Sequence, residues 1–436
     1  MNSEMLPEAF LQQMKALLGE DRLASYLSAF AEEPPVSIRV NPLKLISNEQ
    51  LVMSNYDYIQ SQRDFLNAGT NHNYSLLITH YSLGKEMVPW CPLGFYMPTR
   101  PNFTFDPLLH AGCYYVQEAA SMFIHHIVSN ELSLHSSISK VLDLCAAPGG
   151  KSTCALGALP PETELWSNEP VRNRASILSE NIQKWGYPNC HVTNNYPRDY
   201  ARSGMQFDVI LCDVPCSGEG MFRKDPRTIG EWSPRNVEKC WRLQREIVAD
   251  AWQCLRPGGM VIYSTCTYNI KENEENVRWM IDEFDAELVA VPVLSEWNIT
   301  GSLLPGFRGP VYRFIPGITR SEGLFVAVLR KKGGADSGSK SKKKAGADKL
   351  FQLNALLMNA DPSLPTADLD YATAIGYLRG ESIVLPANTP RGLVTVMFQG
   401  HALGQVKNIG TRANNLYPKE WRIKSTHVPG SYEKIV

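Results

Sequence analysis

"KVLDLCAAPGGKSTCAL", residues 140–156, reads as a strand, a turn of small residues and the start of a helix. Apolar side chains on consecutive positions of "KVLDLC" mark a strand buried on both faces. The same unit repeats outward from it. Strand-like runs follow in "ELWSNE" (164–169), "CHVTNN" (190–195), "FDVILCD" (207–213), "GGMVIYSTC" (258–266) and "GLFVAVLRK" (323–331). Helical segments lie between them, among them "VRNRASILSENIQKWG" (171–186) and "PRNVEKCWRLQREIVADAWQCLRPGG" (234–259). Strands alternating with helices predict the α/β class, with a doubly wound, mostly parallel sheet over residues 136–330.

The flanks differ in composition. Residues 1–135 open with "MNSEMLPEAFLQQMKALLGED", a helix with Leu6, Phe10, Leu11, Met14, Leu17 and Leu18 at apolar positions. A strand-like "SIRV" (37–40) and the Pro- and aromatic-rich "VPWCPLGFYMPTRPNFTF" (88–105) follow, predicting an N-terminal α+β domain. Residues 331–348 are rich in Lys, Gly and Ser with almost nothing to bury, which predicts a flexible linker. Residues 349–436 are expected to form a third, small domain.

A chain of 436 residues has room for two or three such units. The net charge of -1 excludes a globally basic protein, so any nucleic-acid surface must be a local patch. No apolar run reaches the roughly 18 residues of a spanning helix, so no membrane association is expected. Early acids and the lack of a cleavage site in the first helix argue against a secretory signal, and a cytoplasmic location is expected. The ten cysteines include no CxxC pair, so neither a disulfide framework nor a metal site is expected.

The turn after the first strand is where a doubly wound sheet holds a ligand, against backbone N–H groups at the helix start. Ala146, Ala147, Gly149 and Gly150 let the backbone approach that ligand closely. "PGGKST" is not a P-loop, because Cys145 stands where the upstream glycine belongs. Glu169, at the end of the second strand, is placed to hold ribose hydroxyls, although a surface acid would give the same spacing. Turn and acid together suggest a nucleoside cofactor without a phosphate clamp, which S-adenosylmethionine fits better than NAD.

Two further strands end in polar, turn-forming sequence that carries a thiol. "FDVILCDVPCSGEGMFRKD" (207–225) delivers Asp213 at the strand's carboxyl end and Cys216 on a glycine-containing loop, beside Arg223 and Lys224. Those cations are expected to favour a thiolate. "MVIYSTCTYNIKENEENV" (260–277) places Cys266 at another strand end. Cys145, Cys212 and Cys254 sit in apolar runs and are assigned to packing, whereas Cys91 and Cys113 stay ambiguous. Beside a methyl donor, a thiol nucleophile suits pyrimidine C5, which is too poor a nucleophile until a thiolate has added to C6. A carboxyl group near N3 would hold the ring and relieve charge there. The residues themselves leave open which thiol attacks.

"DLCAAPGGKST", "CDVPCSGEG" and "STCTYNIKENEENV" closely resemble the Nol/Nop/Sun family of RNA cytosine-5 methyltransferases. "SIRVNPLK", "VPWCPLGFY", "GCYYVQEAASM" and "YRFIPGITRSEGLFVAVLRK" extend the resemblance, and "YLRGE" and "GHALGQVKNIGTRANNLYPKEWRI" are similar to the RNA-binding appendage of bacterial members that methylate small-subunit ribosomal RNA. The resemblance implies a Rossmann-like, S-adenosylmethionine-dependent core followed by a C-terminal RNA-binding domain. It implies a cofactor site of Cys145, Ala146, Ala147, Pro148, Gly149, Gly150, Lys151 and Glu169, with Arg174, Asn195, Tyr196 and Asp213 beside it. Cys266 becomes the C6 nucleophile, Cys216 assists product release, and Asp213 sits between cofactor and base. Two departures stand out. Tyr196 occupies the region where the family usually offers an aspartate to adenine, and Gly317 follows the proline of "RFIPG" where relatives often carry histidine.

An unpaired or flipped-out cytosine is the expected target, in 16S ribosomal RNA free or within the small subunit, with a monomeric enzyme. Lys419, Trp421 and Arg422 in the locally basic C-terminal tail are expected RNA contacts, with Arg39, Lys44, Arg223 and Lys224 as further ones. Transfer RNA is the alternative substrate. A non-catalytic ribosome-assembly factor of the same fold is the alternative class. DNA methylation is disfavoured, because that class uses its "PC" thiol as nucleophile and has no comparable "TC" thiol.

Overall fold

The computed structural model describes residues 5–45, 85–132, 138–333, 352–353, 362–425 and 427–436. Most of the 331–348 stretch therefore lies outside the described residues.

Helix α1 (Glu8–Ser28) extends beyond the predicted stretch, with a break at Gly19. Its apolar face does not pack on the small sheet that follows it. Phe10 stands 5.0 Å from the ring of Phe222 and 5.5 Å from Trp232, and Tyr26 lies 5.5 Å from Tyr268. Strands β1 (Val36–Val40), β2 (Met87–Val88), β3 (Cys91–Met97) and β4 (Tyr114–Val116) form an antiparallel sheet in the order β2-β3-β1-β4.

The central sheet begins with β5 (Lys140–Asp143), followed by α2 (Gly150–Leu156), β6 (Glu164–Asn168), α3 (Arg172–Trp185), β7 (Cys190–Thr193) and α4 (Pro197–Ser203). Then come β8 (Phe207–Asp213), α5 (Pro234–Cys254), β9 (Leu255–Thr265), α6 (Glu274–Phe284), β10 (Ala286–Val289), β11 (Tyr312–Phe314), β12 (Leu324–Lys331) and β13 (Gln352–Leu353). The order is β10-β12-β9-β8-β5-β6-β7-β13, with β11 beside β12. Strands β7, β6, β5, β8 and β9 run parallel, and β12 is antiparallel to β9. This is the doubly wound, mostly parallel arrangement that the alternating pattern predicts.

Both faces of the sheet are covered. Val141, Val209, Leu211 and Ile262 belong to one buried cluster, while their strand neighbours Leu142, Ile210, Cys212, Val261 and Tyr263 belong to the other. Connectivity reverses between β5 and β8, so the ends of these strands open a crevice at the sheet's carboxyl edge. The helix expected over 234–259 starts on Ser233, whose hydroxyl accepts from Asn236 N–H, but stops at Cys254. Pro257 has no N–H to continue it, Gly258 has φ 80°, and the chain turns into β9. Short edge strands β10, β11 and β13 had no clear sequence pattern of their own.

The last sheet contains β14 (Thr366–Asp368), β15 (Gly392–Phe398), β16 (His401–Asn408) and β17 (Ala413–Asn415), in that order, with helix α7 (Tyr371–Leu378) against it. The first pair is parallel and the others antiparallel. Tyr371 O–H donates to the Phe105 carbonyl at 3.2 Å and Tyr432 O–H to Asp106 at 3.4 Å, joining this unit to the N-terminal part.

Candidate active site

The turn after β5 is held by its neighbours on both sides. Ala146 N–H donates to the Asn168 carbonyl at 2.8 Å, and Gly149 N–H returns to the Ala146 carbonyl at 2.7 Å. Gly149 has φ 111°, and a Cβ there would stand 3.2 Å from Leu178, so this position demands glycine. Arg174 donates to the Ala147 carbonyl at 3.0 Å and Asn181 to that of Pro148 at 2.8 Å, which pins the turn to α3. Beneath it, Asp143 accepts from Ser152 at 2.6 Å, yet its Oδ1 is buried with no partner. Burial pushes this carboxyl up to about 7.

Glu169 is buried beside the same turn. One oxygen accepts from Val171 N–H at 3.0 Å, while Oε2 makes no hydrogen bond and stands 3.4 Å from Arg174. Asn194 spends its amide on the carbonyls of Glu169 and Pro170, and Asn195 is buried. Tyr196 is 57% exposed, so of these three it alone presents its side chain broadly to the surface.

Asp213 closes β8 at the far side of the crevice. Its Oδ2 accepts from Lys151 at 2.9 Å and its Oδ1 from Ser264 at 2.7 Å. Burial alone would pull the Lys151 ammonium down, but Asp213, Cys266 and Asp143 together hold it above the ordinary lysine range. Ser264 was missed in the sequence; the signal was its position two residues before Cys266, paired in register with Asp213.

Both strand-end thiols reach one point. Cys216 Sγ and Cys266 Sγ stand 3.2 Å apart, both half-buried and both free. Gly220 N–H donates to the Cys266 carbonyl at 2.7 Å, and a Cβ at Gly220 would come within 2.5 Å of that oxygen. The hydrogen bond to Cys266, together with burial, pushes the Cys216 thiol well above its usual range. Either sulfur can donate in this contact. Two buried acids that the sequence reading passed over, Glu219 and Glu272, hold the surrounding loops. By contrast Cys91, Cys113, Cys212 and Cys254 are buried in the apolar clusters.

Several expected RNA contacts turn out to be internal. Arg223 does not stand free beside Cys216: its guanidinium pairs with Glu322 at 2.7 Å and donates to the Glu32 carbonyl at 3.2 Å. Arg39 is fully buried, bonded to Gln117 and Thr153 and stacked 4.6 Å from the Trp185 ring. Lys44 gives its ammonium to the carbonyls of Ala111 and Lys184, and burial lowers it to about 8. All three sit in sequence that reads as exposed and basic, but each found buried acceptors in a distant segment. Trp421 is half-buried under the Lys184 ammonium, 5.4 Å from its ring, and Arg422 packs on Gly380. Lys224 and Lys419 remain exposed.

Family models cover three stretches of the chain. One described as 16S rRNA methyltransferase RsmB/F matches residues 132–330. The methyltransferase RsmF PUA domain matches 365–423, and the N-terminal domain of 16S rRNA methyltransferase RsmF matches 67–119. The chain is 32% identical over 338 residues to a ribosomal RNA small subunit methyltransferase F of Serratia proteamaculans, covering 75% of this chain and 63% of that one. It is 33% identical over 341 residues to the protein of the same name from Cronobacter sakazakii, covering 76% and 64%. It thus spans a little under two thirds of these relatives' length. Among solved structures, a methyltransferase homolog from Pyrococcus horikoshii is similar with a TM-score of 0.53 at 24% identity, covering 76% of this chain and all of that one. NSun6 from Pyrococcus horikoshii, solved with SFG, has a TM-score of 0.55 at 21% identity, with the same coverage. These structural likenesses speak for the fold. Sequence matches along the N-terminal, central and C-terminal stretches agree with one another: the chain belongs to the 16S rRNA methyltransferase RsmB/F family.

Proposed function

We propose that this chain is an S-adenosylmethionine-dependent methyltransferase acting on C5 of a cytosine in 16S ribosomal RNA. The observation that carries the reading is the 3.2 Å approach of Cys216 and Cys266 beside the Lys151–Asp213 pair.

The residues around the β5 turn fit the cofactor. Glu169 keeps one buried oxygen without a hydrogen bond, the acceptor that ribose hydroxyls need, and the Cys145–Lys151 turn brings bare backbone close to it. Arg174 orients both Glu169 and the turn, and Tyr196 offers an exposed ring to adenine. Behind it, Asn195 N–H donates to Asn168 Oδ1 at 3.0 Å, and its carbonyl accepts from Asn168 Nδ2 at 2.9 Å. When bound, S-adenosylmethionine supplies an electrophilic methyl group.

In the proposed mechanism the Cys266 thiolate adds to C6 of the cytosine, forming a C–S bond and moving electron density onto C5. Asp213, fixed by Lys151 and Ser264, faces the ring nitrogen side and stabilises charge developing there. Once C5 is methylated, a water molecule takes the C5 proton, the C5=C6 double bond reforms and the C6–S bond breaks, its electron pair leaving on the Cys266 sulfur. Cys216 assists that release from its contact with the departing sulfur. The contact between the two sulfurs supports their acting on one base.

Residues 1–135 and 349–436 are assigned to RNA positioning around a core at 136–330, with Lys224 and Lys419 as exposed phosphate contacts and Trp421 as a half-exposed stacking surface. The test is in vitro methylation of unmodified small-subunit RNA with labelled cofactor, followed by base-resolution mapping. Label at C5 of one or a few 16S cytosines, absent with Cys266→Ala, supports the reading. Label on transfer RNA alone, or no label on either RNA, contradicts it.

A further inference from the structure

On the reading that both thiols act on one base, their separation must be held to within a fraction of an ångström. Neither strand end does this alone, since Cys216 lies three residues and Cys266 one residue beyond regular β structure. Two buried carboxylates cross between the loops instead.

Glu219, on the Cys216 loop, reaches into the Cys266 loop. Its Oε2 accepts from the backbone N–H groups of Tyr268 at 2.6 Å and Asn269 at 3.0 Å. Its Oε1 accepts from Asn269 Nδ2, Trp232 Nε1 and, out of α1, Gln13 Nε2, at 3.1, 3.0 and 3.0 Å. Glu272, beyond Cys266, reaches the opposite way. Its Oε2 accepts from Ser217 N–H at 3.0 Å, the residue after Cys216, and from Gln244 at 2.7 Å. Asn269 joins the two acids, donating to Glu272 Oε1 at 2.7 Å while its own Oδ1 accepts from Glu272 N–H at 2.8 Å. Each loop thus grips the other's backbone through a side chain. In Glu219 both oxygens take more than one donor, an arrangement that only a carboxylate satisfies; an amide would set donor against donor.

We infer that Glu219 and Glu272 are positioning residues, a reciprocal clamp that holds Cys216 and Cys266 in contact. Gln13 extends the clamp to α1, so the N-terminal helix braces the thiols from outside the central sheet.

The test is the rate at which diamide joins Cys216 to Cys266, followed by mass spectrometry of the linked peptides. The two thiols lose two electrons and two protons to diamide, which becomes the hydrazine, and an S–S bond forms. Glu219→Gln and Glu272→Gln should slow this link by at least about tenfold, while Leu165→Ala, a core truncation in β6, which carries no residue of the clamp, should not. If Glu219→Gln does not fold, Asn269→Ala and Glu272→Gln carry the same expectation. Wild-type linking rates in the clamp variants, or equal slowing by Leu165→Ala, would overturn the inference. Since the reaction involves neither RNA nor cofactor, its outcome is independent of whether the catalytic reading holds.

Discussion

Lys151 and Asp213 meet at 2.9 Å across the point where the sheet's strand order reverses. One follows β5 and the other ends β8, so the ion pair ties the proposed cofactor turn to the proposed base site. Replacing the ammonium leaves Asp213 with Ser264 as its remaining hydrogen-bond donor. Lys151→Met should lower the methyl-transfer rate by about 100-fold, the scale of losing one preorganised charge stabiliser. Single-turnover kinetics with labelled cofactor measure this; an unchanged rate would remove Lys151 from the site.

Glu169 offers a sharper separation of binding from folding. Its Oε2 makes no hydrogen bond within the protein, so Glu169→Gln removes little from the fold. It should weaken S-adenosylhomocysteine binding by about 1.5–3 kcal/mol, as for a hydrogen bond to a charged group. Calorimetric titration gives the affinity, and thermal unfolding without ligand should change little.

Arg39 tests the corrected expectation. Its guanidinium satisfies Gln117 and Thr153 in the interior, where Thr153 belongs to α2 behind the cofactor turn. Arg39→Met should destabilise the protein by about 3 kcal/mol, through acceptors left unpaired in a buried site. Below the melting transition RNA affinity should match wild type. A selective loss of RNA binding with unchanged stability would restore Arg39 as a surface contact.

Buried acids set an alkaline limit on stability. Burial pushes Asp143, Glu272 and Glu322 up to about 7, above unfolded values near 4. Their contribution is full below the unfolded values and is lost as pH rises through 7. Buried His110 and His125 act oppositely: burial lowers them to about 4 and about 3, so their contribution is present above about pH 6.5 and is lost below it. The melting temperature should therefore be higher at pH 6.5 than at pH 8, measured by calorimetry at one scan rate. A rise between those values would contradict the assignment of the three acids.

The central sheet was legible because its strands are buried on both faces and alternate with helices. Val209 to Cys212 could hardly be anything else. Asp213, Cys216 and Cys266 were legible because chemistry-bearing residues stood at strand ends within turn-forming sequence. The clamp was hidden because Glu219 and Glu272 look like ordinary surface acids until the fold brings Asn269 between them. Charged residues misled for the same reason. Arg39, Lys44 and Arg223 have partners 67 to 191 positions away, which no local pattern reveals.

The most direct test of the account follows the covalent step itself. Cys216→Ala, incubated with labelled cofactor and unmodified small-subunit RNA, should retain methylated RNA through a denaturing gel, because Cys266 attacks but release is impaired. Cys266→Ala should retain none. If wild type methylates the RNA while Cys216→Ala traps nothing, or if Cys266→Ala traps it instead, the proposed roles of the two thiols are wrong.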